Sequence, residues 1–156
     1  MVTKADYKKI MVTFDGSKFS QNALETAMEI SKKFGASLYL VTIIDISKVN
    51  PPGALLGSQK KTMKKSLDVI KTAAKYEAEK MLSEKASICK KNGVDVHYEV
   101  LDGSPSDTIL KLIKKWDVDL VVLGSQGLSG FSKIKALGSV SRRVSELASC
   151  PVLISH

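Results

Sequence analysis

Cysteine and histidine are scarce in this sequence. Its 156 residues include two cysteines, Cys89 and Cys150, and two histidines, His97 and His156. Neither cysteine belongs to a Cys-x-x-Cys pair, and the histidines offer no spacing typical of metal ligands. We therefore expect two reduced thiols and no metal held directly by protein side chains.

Long apolar runs and the common catalytic motifs are also missing. Stretches such as Val121–Leu123 are far too short to cross a bilayer, and the N-terminal MVTKADYKKI lacks the apolar region of a secretory signal. The sequence has no Gly-x4-Gly-Lys-Ser/Thr loop, no Gly-x-Gly-x-x-Gly and no Ser/His/Asp set near the predicted site. These absences predict a cytoplasmic protein with no membrane partner and without fast phosphoryl-transfer chemistry.

Positive charge is abundant but concentrated in one segment. Between Lys60 and Lys91 there are ten lysines and four acidic residues, so this segment carries +6 of the net charge of +8. Tyr76 is its one aromatic residue, which leaves little for stacking on bases. We interpret the segment as the solvated face of a long helix, with a polyanion-binding surface as the alternative; a nucleic-acid partner is not expected.

Strand-like and helix-like segments alternate along the chain. Apolar residues at helical spacing fill the intervals between five short apolar runs, which predict strands at Lys9–Phe14, Ser37–Ile44, Val94–Val100, Asp119–Leu123 and Pro151–Ser155. Five strands joined by helices predict an α/β fold in one domain over residues 1–156. Its parallel sheet would be covered by helices on both faces, as a three-layer α/β/α architecture.

Two glycine clusters follow the fourth predicted strand. Gly124-Ser125-Gln126-Gly127 comes directly after it, and Gly138-Ser139 opens a helix predicted over Gly138–Ser149. Glycine lets a backbone approach a ligand closely, and a helix start offers unpaired N–H groups to an anion. Asp15 ends the first strand and reaches the same crevice if strands one and four are neighbours. The arrangement predicts a phosphate site.

The residues around these clusters resemble the universal stress protein family over nearly the whole chain. KIMVTFDGSKFS is similar to the opening strand of the family, and GSQGLSGFSKIKALGSVSRRVSELASCPVLIS is similar to its closing segment. The resemblance implies a sheet of order 3-2-1-4-5, as in adenine nucleotide alpha hydrolase-like folds, and a homodimer through the last strand. One branch of the family binds ATP through Gly-x2-Gly-x9-Gly-Ser/Thr. Here the second spacer, residues 128–137, is ten residues long instead of nine.

The resemblance also implies a role for each site residue. Adenine would contact the ends of the first, second and fourth strands, ribose and phosphates the two glycine clusters, and Asp15 would lie near the ribose or metal-bound phosphates. The implied nucleotide-binding residues are Thr13, Phe14, Asp15, Ile43, Leu123, Gly124, Ser125, Gln126, Gly127, Gly138, Ser139, Val140 and Ser141. Thr13 stands where relatives often have proline. Simpler roles remain open: Asp15 as a turn cap, and Ser139 and Ser141 as caps of the last helix.

The function implied is that of an ATP-binding universal stress protein, a nucleotide-dependent switch or sensor in the stress response. Its ligands would be ATP, or AMP or ADP, with Mg²⁺ held through the phosphates. Without a phosphate-loop lysine, hydrolysis would be slow or absent; Lys133 and Lys135 are solvated or reach the phosphates. The alternatives are a stress protein of the non-nucleotide type that acts as an interaction module, and a slow ATPase.

Overall fold

Five parallel strands form one sheet in the order β3-β2-β1-β4-β5. The computed structural model describes residues 6–48, 59–128 and 137–156. Its elements are β1 Lys9–Thr13, α1 Lys18–Phe34, β2 Ser37–Ile44, a short 3-10 turn Ile46–Lys48, α2 Gln59–Lys91, β3 Val96–Asp102, α3 Pro105–Lys115, β4 Leu120–Gly124, α4 Ser139–Leu147 and β5 Val152–Ser155. The predicted fold class and strand order are confirmed. Residues 49–58 and the bulk of the 128–137 spacer, with Lys133 and Lys135, lie outside the described residues.

Helices cover both faces of the sheet, which gives two hydrophobic cores. α1 and α2 bury residues such as Ala27 and Leu82 against one face, together with Ile10 and Val12 of β1. α3 and α4 bury residues such as Ile109 and Val144 against the other face, together with Met11. Because neighbouring strand residues point to opposite faces, β1 supplies both cores from consecutive positions. The predicted three-layer arrangement follows from this alternation.

Local signals locate the ends of α1. Ser17 is the N-cap: its hydroxyl accepts a hydrogen bond from the N–H of Ser20 at 3.1 Å. Gly35 ends the helix in the left-handed conformation at φ 66°. That backbone geometry costs glycine little and most residues more.

The third strand is displaced from its predicted position. It spans Val96–Asp102 and not Val94–Val100. Gly93 adopts φ 79°, and the N–H of Val94 donates to the carbonyl of Cys89 at 3.0 Å. Val94 therefore belongs to the C-terminal turn of α2, where it satisfies a helix carbonyl before the strand begins.

Smaller corrections apply to four other elements. β5 begins at Val152, one residue later than predicted. β1 ends one residue earlier than predicted, which leaves Phe14 and Asp15 just beyond it. β4 is shifted one residue along the chain and includes Gly124, which pairs with Ser155 of β5. α4 ends at Leu147 because Ala148 already has extended backbone.

The lysines of α2 face solvent, as the charge pattern predicts. The exposed ones are Lys61, Lys64, Lys65, Lys75, Lys80, Lys90 and Lys91. Two others are half-buried: Lys71 pairs with Asp102, and the Lys85 ammonium lies 5.4 Å from the centre of the Phe14 ring. Among residues 61–91, whose burial the structure describes, the first buried residue of this helix is Ala78, so the N-terminal half carries little of the core.

Candidate functional site

The sheet opens between β1 and β4 at its carboxyl edge. β1 pairs with β4 only as far as Val12 and Val122. It stays with β2 for longer, because the N–H of Phe14 donates to the carbonyl of Val41 at 2.8 Å. β4 meanwhile continues along β5 to Gly124. The crevice therefore lies where strand order reverses, the usual ligand position in open α/β sheets.

A cleft of about 470 Å³ occupies this opening. That volume lies within the range of small-molecule sites, roughly 300–1,000 Å³. Twelve of the thirteen sequence-predicted residues line it: Thr13, Phe14, Asp15, Ile43, Leu123, Gly124, Gln126, Gly127, Gly138, Ser139, Val140 and Ser141. The structure thus brings together residues from three strands and from both glycine clusters.

Ser125 is the predicted residue that does not line the cleft. Its side chain is buried, and its backbone joins the neighbouring elements. The Ser125 N–H donates to the carbonyl of Ser155 at 2.8 Å, and its carbonyl accepts from the N–H of Gly138, also at 2.8 Å. Ser125 therefore holds the start of α4 against the end of β4.

Four lining residues were not predicted from the sequence: Ser20, Pro105, Ile109 and Leu128. Ile109 is also a buried core residue, and Pro105 is the first residue of α3. The topology of the sheet could have predicted Pro105 and Ile109 as lining residues. All parallel strands end at the same edge of the sheet, so the helix that follows β3 begins beside the crevice.

The start of α4 presents backbone donors to the cleft. Gly138 is the N-cap and has no side chain to bond the first turn. The first helical hydrogen bond runs from the N–H of Arg142 to the carbonyl of Gly138, at 3.0 Å. The N–H groups of Ser139, Val140 and Ser141 therefore have no partner within the helix and can receive an anion.

Neither Ser139 nor Ser141 caps α4. The simpler interpretation of these two serines as helix caps is therefore wrong. The hydroxyl of Ser141 is buried and donates to the carbonyl of Gly124 at 2.7 Å. It ties the helix to the end of β4. Ser139 has an exposed side chain beside the cleft.

Asp15 connects two parts of the cleft wall. Its Oδ1 accepts from the N–H of Ser17 at 2.9 Å, which is the turn-capping role open from the sequence. Its Oδ2 accepts from the N–H of Leu128 at 3.3 Å. One carboxylate thus caps the turn into α1 and reaches the glycine loop after β4.

A larger residue is disfavoured at each motif glycine for a different reason. A Cβ on Gly124 would lie 2.8 Å from the carbonyl carbon of Phe19, so this glycine lets β4 approach the first turn of α1. A Cβ on Gly127 would lie 2.9 Å from Asp15 Oδ2, and one on Gly138 would lie 3.4 Å from the carbonyl oxygen of Ser125. Helix packing, and not ligand approach, thus accounts for the glycine at 124.

The described residues give two further findings. In 6–48, 59–128 and 137–156, no cluster of three or more His, Cys, Asp or Glu side chains is arranged to hold a metal ion. Within the same ranges, no helix has both the length and the apolar character needed to span a membrane.

These features define a doubly wound α/β protein with a cleft at its switch point. Residues 6–156 match the universal stress protein family, and the chain belongs to that family. A universal stress protein of Methanocaldococcus jannaschii is 34% identical over 148 residues, which cover 95% of this chain and 81% of the relative.

The solved structures similar to this chain include two nucleotide complexes. One is a universal stress protein in complex with cAMP, 25% identical, with a TM-score of 0.67 and coverage of 97% of this chain and 98% of the other. The second is the universal stress protein from Archaeoglobus fulgidus in complex with dAMP, 25% identical, with a TM-score of 0.63 and coverage of 97% and 99%.

Proposed function

We propose that this protein binds an adenine nucleotide in the cleft between β1 and β4 and acts as a nucleotide-dependent switch or sensor in the stress response. One observation carries the proposal: the gap between β1 and β4 and the N-terminus of α4 open into the same cleft. Gly127, Gly138 and Asp15 line that cleft together. Relatives solved with cAMP and dAMP support an adenine ligand.

The base would lie at the apolar end of the cleft. Ile43 and Leu123 lie one residue before the ends of β2 and β4 there, and Ile109 and Val140 come from the helices above that face. A purine ring has two apolar faces, so burying it between such side chains contributes about 25 cal/mol per Å² of apolar surface. These residues also belong to or pack on the core, so the base wall is rigid.

The phosphates would lie at the start of α4. Its open N–H groups and helix dipole favour negative charge, with hydrogen bonds to charged oxygens worth about 1.5–3 kcal/mol each. Mg²⁺ would be held through the phosphates, and Asp15 is the acidic side chain positioned to hold its water shell. ATP, ADP and AMP all fit this arrangement.

Hydrolysis is proposed to be slow at most. Rapid phosphoryl transfer needs a positioned metal, a cation and a base or water-orienting group together. Among the described residues that line the cleft, Asp15 is the one ionisable side chain. Such a site binds and releases nucleotide more readily than it turns it over, which suits a sensor in the cytoplasm.

Calorimetry with Mg-ATP and with AMP tests the proposal. Gly127→Val plus Gly138→Val fills both sides of the phosphate end, whereas Gly124 is left unchanged because its replacement would disturb α1. We expect binding in the wild type and loss of heat in the double variant, with thermal unfolding of both as the control for folding. Equal heats would refute the site, and no heat in either protein would favour the interaction-module alternative.

We also propose a homodimer through β5. This strand pairs with β4 on one side and is the last in the sheet order. Its Ser155 carbonyl faces β4, so by alternation the N–H of Ile154 faces outward, where a second copy can pair. Light scattering would give a dimer mass for the wild type and a lower mass for Ile154→Pro; a monomer near 16.9 kDa in the wild type would exclude the dimer.

A further inference from the structure

The N-terminal half of α2 carries an apolar stripe on its exposed side. Val69, Ala73 and Tyr76, here called the outer stripe, line a shallow depression on the helix surface. Val69 is 69% exposed and Tyr76 is 66% exposed, and both lie on the side of the helix opposite the buried Ala78 and Leu82. Spacings of four and three residues are those of a helix-packing seam, so the outer stripe suits a second helix.

The hydroxyl groups beside the outer stripe already have partners within α2. The Ser66 hydroxyl donates to the carbonyl of Thr62 at 3.0 Å, and the Thr72 hydroxyl donates to the carbonyl of Asp68 at 2.8 Å. Burying an unpaired hydroxyl costs free energy, whereas these two groups keep their hydrogen bonds when a partner covers them. The exposed side of α2 can therefore be buried without leaving these hydroxyls unsatisfied.

Charges along one edge of the outer stripe change sign. Lys65, Thr72 and Glu79 follow one another at seven-residue spacing, so they lie along the same edge. Lys65 and Glu79 are exposed, and neither forms an ion pair among the described residues. The edge is basic before Val69 and acidic after Tyr76.

We propose that the outer stripe pairs with the same stripe of a second copy, with the two α2 helices antiparallel. A two-fold axis beside Thr72 reverses the order of residues along the edge, so Lys65 of each copy meets Glu79 of the other. Val69 then packs against Tyr76 of the second copy, and the small Ala73 lets the helices approach closely.

The charges favour the antiparallel arrangement over a parallel one. In a parallel pair, opposite edges of the two seams meet, which would place Glu79 of one copy near the exposed Glu84 of the other. Such like-charge contacts oppose association, whereas the antiparallel pair gains two contacts between opposite charges.

A second copy fits this side of α2 better than an anionic membrane or an acidic partner does. The lysines before Val69 would attract either of these, but Glu79 and Glu84 would be repelled. A helix that lies in a membrane surface buries a broad apolar face, and the outer stripe is narrow. The apolar area is small, so the pairing is weak and depends on concentration.

Analytical ultracentrifugation over a range of protein concentrations tests this inference. We expect the mass of the wild type to double as concentration rises, starting from the monomer or from the dimer through β5. Lys65→Glu should raise the Kd of this step about tenfold, because two exposed ion pairs are replaced by repulsion. Lys65→Glu plus Glu79→Lys should restore the wild-type Kd, because the swapped charges again meet in opposite pairs.

The matched control is Lys64→Glu, which makes the same charge change at an exposed position away from the outer stripe. Its Kd should stay close to that of the wild type, and thermal unfolding should show that all variants fold. Absence of mass doubling in the wild type, equal effects of Lys64→Glu and Lys65→Glu, or no restoration by the charge swap would each overturn the antiparallel pair. Flotation with phosphatidylglycerol vesicles that Lys65→Glu abolishes and the swap does not restore would assign the surface to lipid instead. Mg-ATP binding is expected to be the same in every variant, so these outcomes leave the proposed nucleotide function standing.

Discussion

The carboxylate of Asp15 and the backbone N–H of Leu128 are 113 positions apart in the sequence and 3.3 Å apart in the structure. Their hydrogen bond spans the mouth of the crevice between β1 and β4. The Cβ site of Gly127 lies 2.9 Å from the same carboxylate oxygen. The aspartate after the first strand and the first glycine cluster are thus parts of one structural unit, and several predictions depend on how tightly that unit is packed.

Gly124→Ala should destabilise the protein more than Gly127→Ala. The new methyl at 124 meets the backbone of Phe19, which cannot move without shifting α1, and overpacking of this kind costs about 1–3 kcal/mol. At 127 the methyl meets the tip of the Asp15 side chain, which can rotate, so we expect a change within about 0.5 kcal/mol. Urea unfolding measures both, and similar losses would show that Gly124 has no special packing role.

Ser141→Ala should lower the free energy of unfolding, because it removes the hydrogen bond to the carbonyl of Gly124, a half-buried residue. The net contribution of such a hydrogen bond is about 0.5–1.5 kcal/mol. Ser145→Ala is the matched control in the same helix, since that exposed hydroxyl bonds the nearby carbonyl of Arg142 and its loss should change stability by less than about 0.5 kcal/mol. Equal stabilities of the two variants would contradict a stabilising role for the hydrogen bond between Ser141 and Gly124.

Both thiols should react slowly in the folded protein. Burial raises the pKa of Cys89, and burial together with the Asp119 carboxylate raises the pKa of Cys150, so little reactive thiolate forms near neutral pH. Iodoacetamide labelling read by mass spectrometry should modify Cys89 most slowly, because it is 1% exposed. Labelling in denaturant is the control; rapid native labelling of Cys89 would show that α2 opens readily.

The raised pKa values of the two thiols also predict how the stability of the protein changes at alkaline pH. An unfolded thiol ionises near pH 8.5 while the folded thiols hold their protons to higher pH, so the unfolded state loses protons first. The contribution of the thiols to the free energy of unfolding is complete below about pH 8.5. It is lost as the pH rises through the pKa of the thiols in the folded protein. The variant Cys89→Ala plus Cys150→Ala should therefore lose less stability than the wild type across this range, and identical slopes would contradict the shift.

Arg143→Ala should have a small, salt-dependent effect. Arg143 Nη2 lies 3.0 Å from Asp107 Oδ1 and joins α4 to the first turn of α3, but both side chains are about half exposed. Exposed pairs contribute about 0.2–1 kcal/mol, and screening lowers this further. A double-mutant cycle with Asp107→Asn measures the coupling, with Arg142→Ala as the control on the exposed neighbour; coupling unchanged by high salt would contradict a surface ion pair.

Local patterns predicted the elements well where the signal lay within a few residues. β2 was predicted at Ser37–Ile44 and is confirmed at those bounds, because its continuous apolar run suits a strand buried on both faces. β3 was placed two residues early, since Val94 is as apolar as a strand residue but closes α2. Apolar character alone does not tell a strand start from a hydrophobic helix end.

The candidate site was predicted in part. Its glycines and Asp15 were found through motif spacing and family resemblance, and the structure brings twelve of the predicted residues to one cleft. Pro105 and Ile109 were missed because their sequence signals are those of a helix start and a core stripe. They join the cleft only because α3 begins at the same edge of the sheet as the crevice.

The sequence by itself determined which segments become strands and helices and where caps such as Ser17 and Gly35 lie, because those choices depend on contacts within a few residues. Tertiary structure alone decided that Gly124 abuts Phe19 and that Asp15 meets Leu128. Those relationships depend on which strands become neighbours and how closely helices pack on them, and no local periodicity records such long-range contacts.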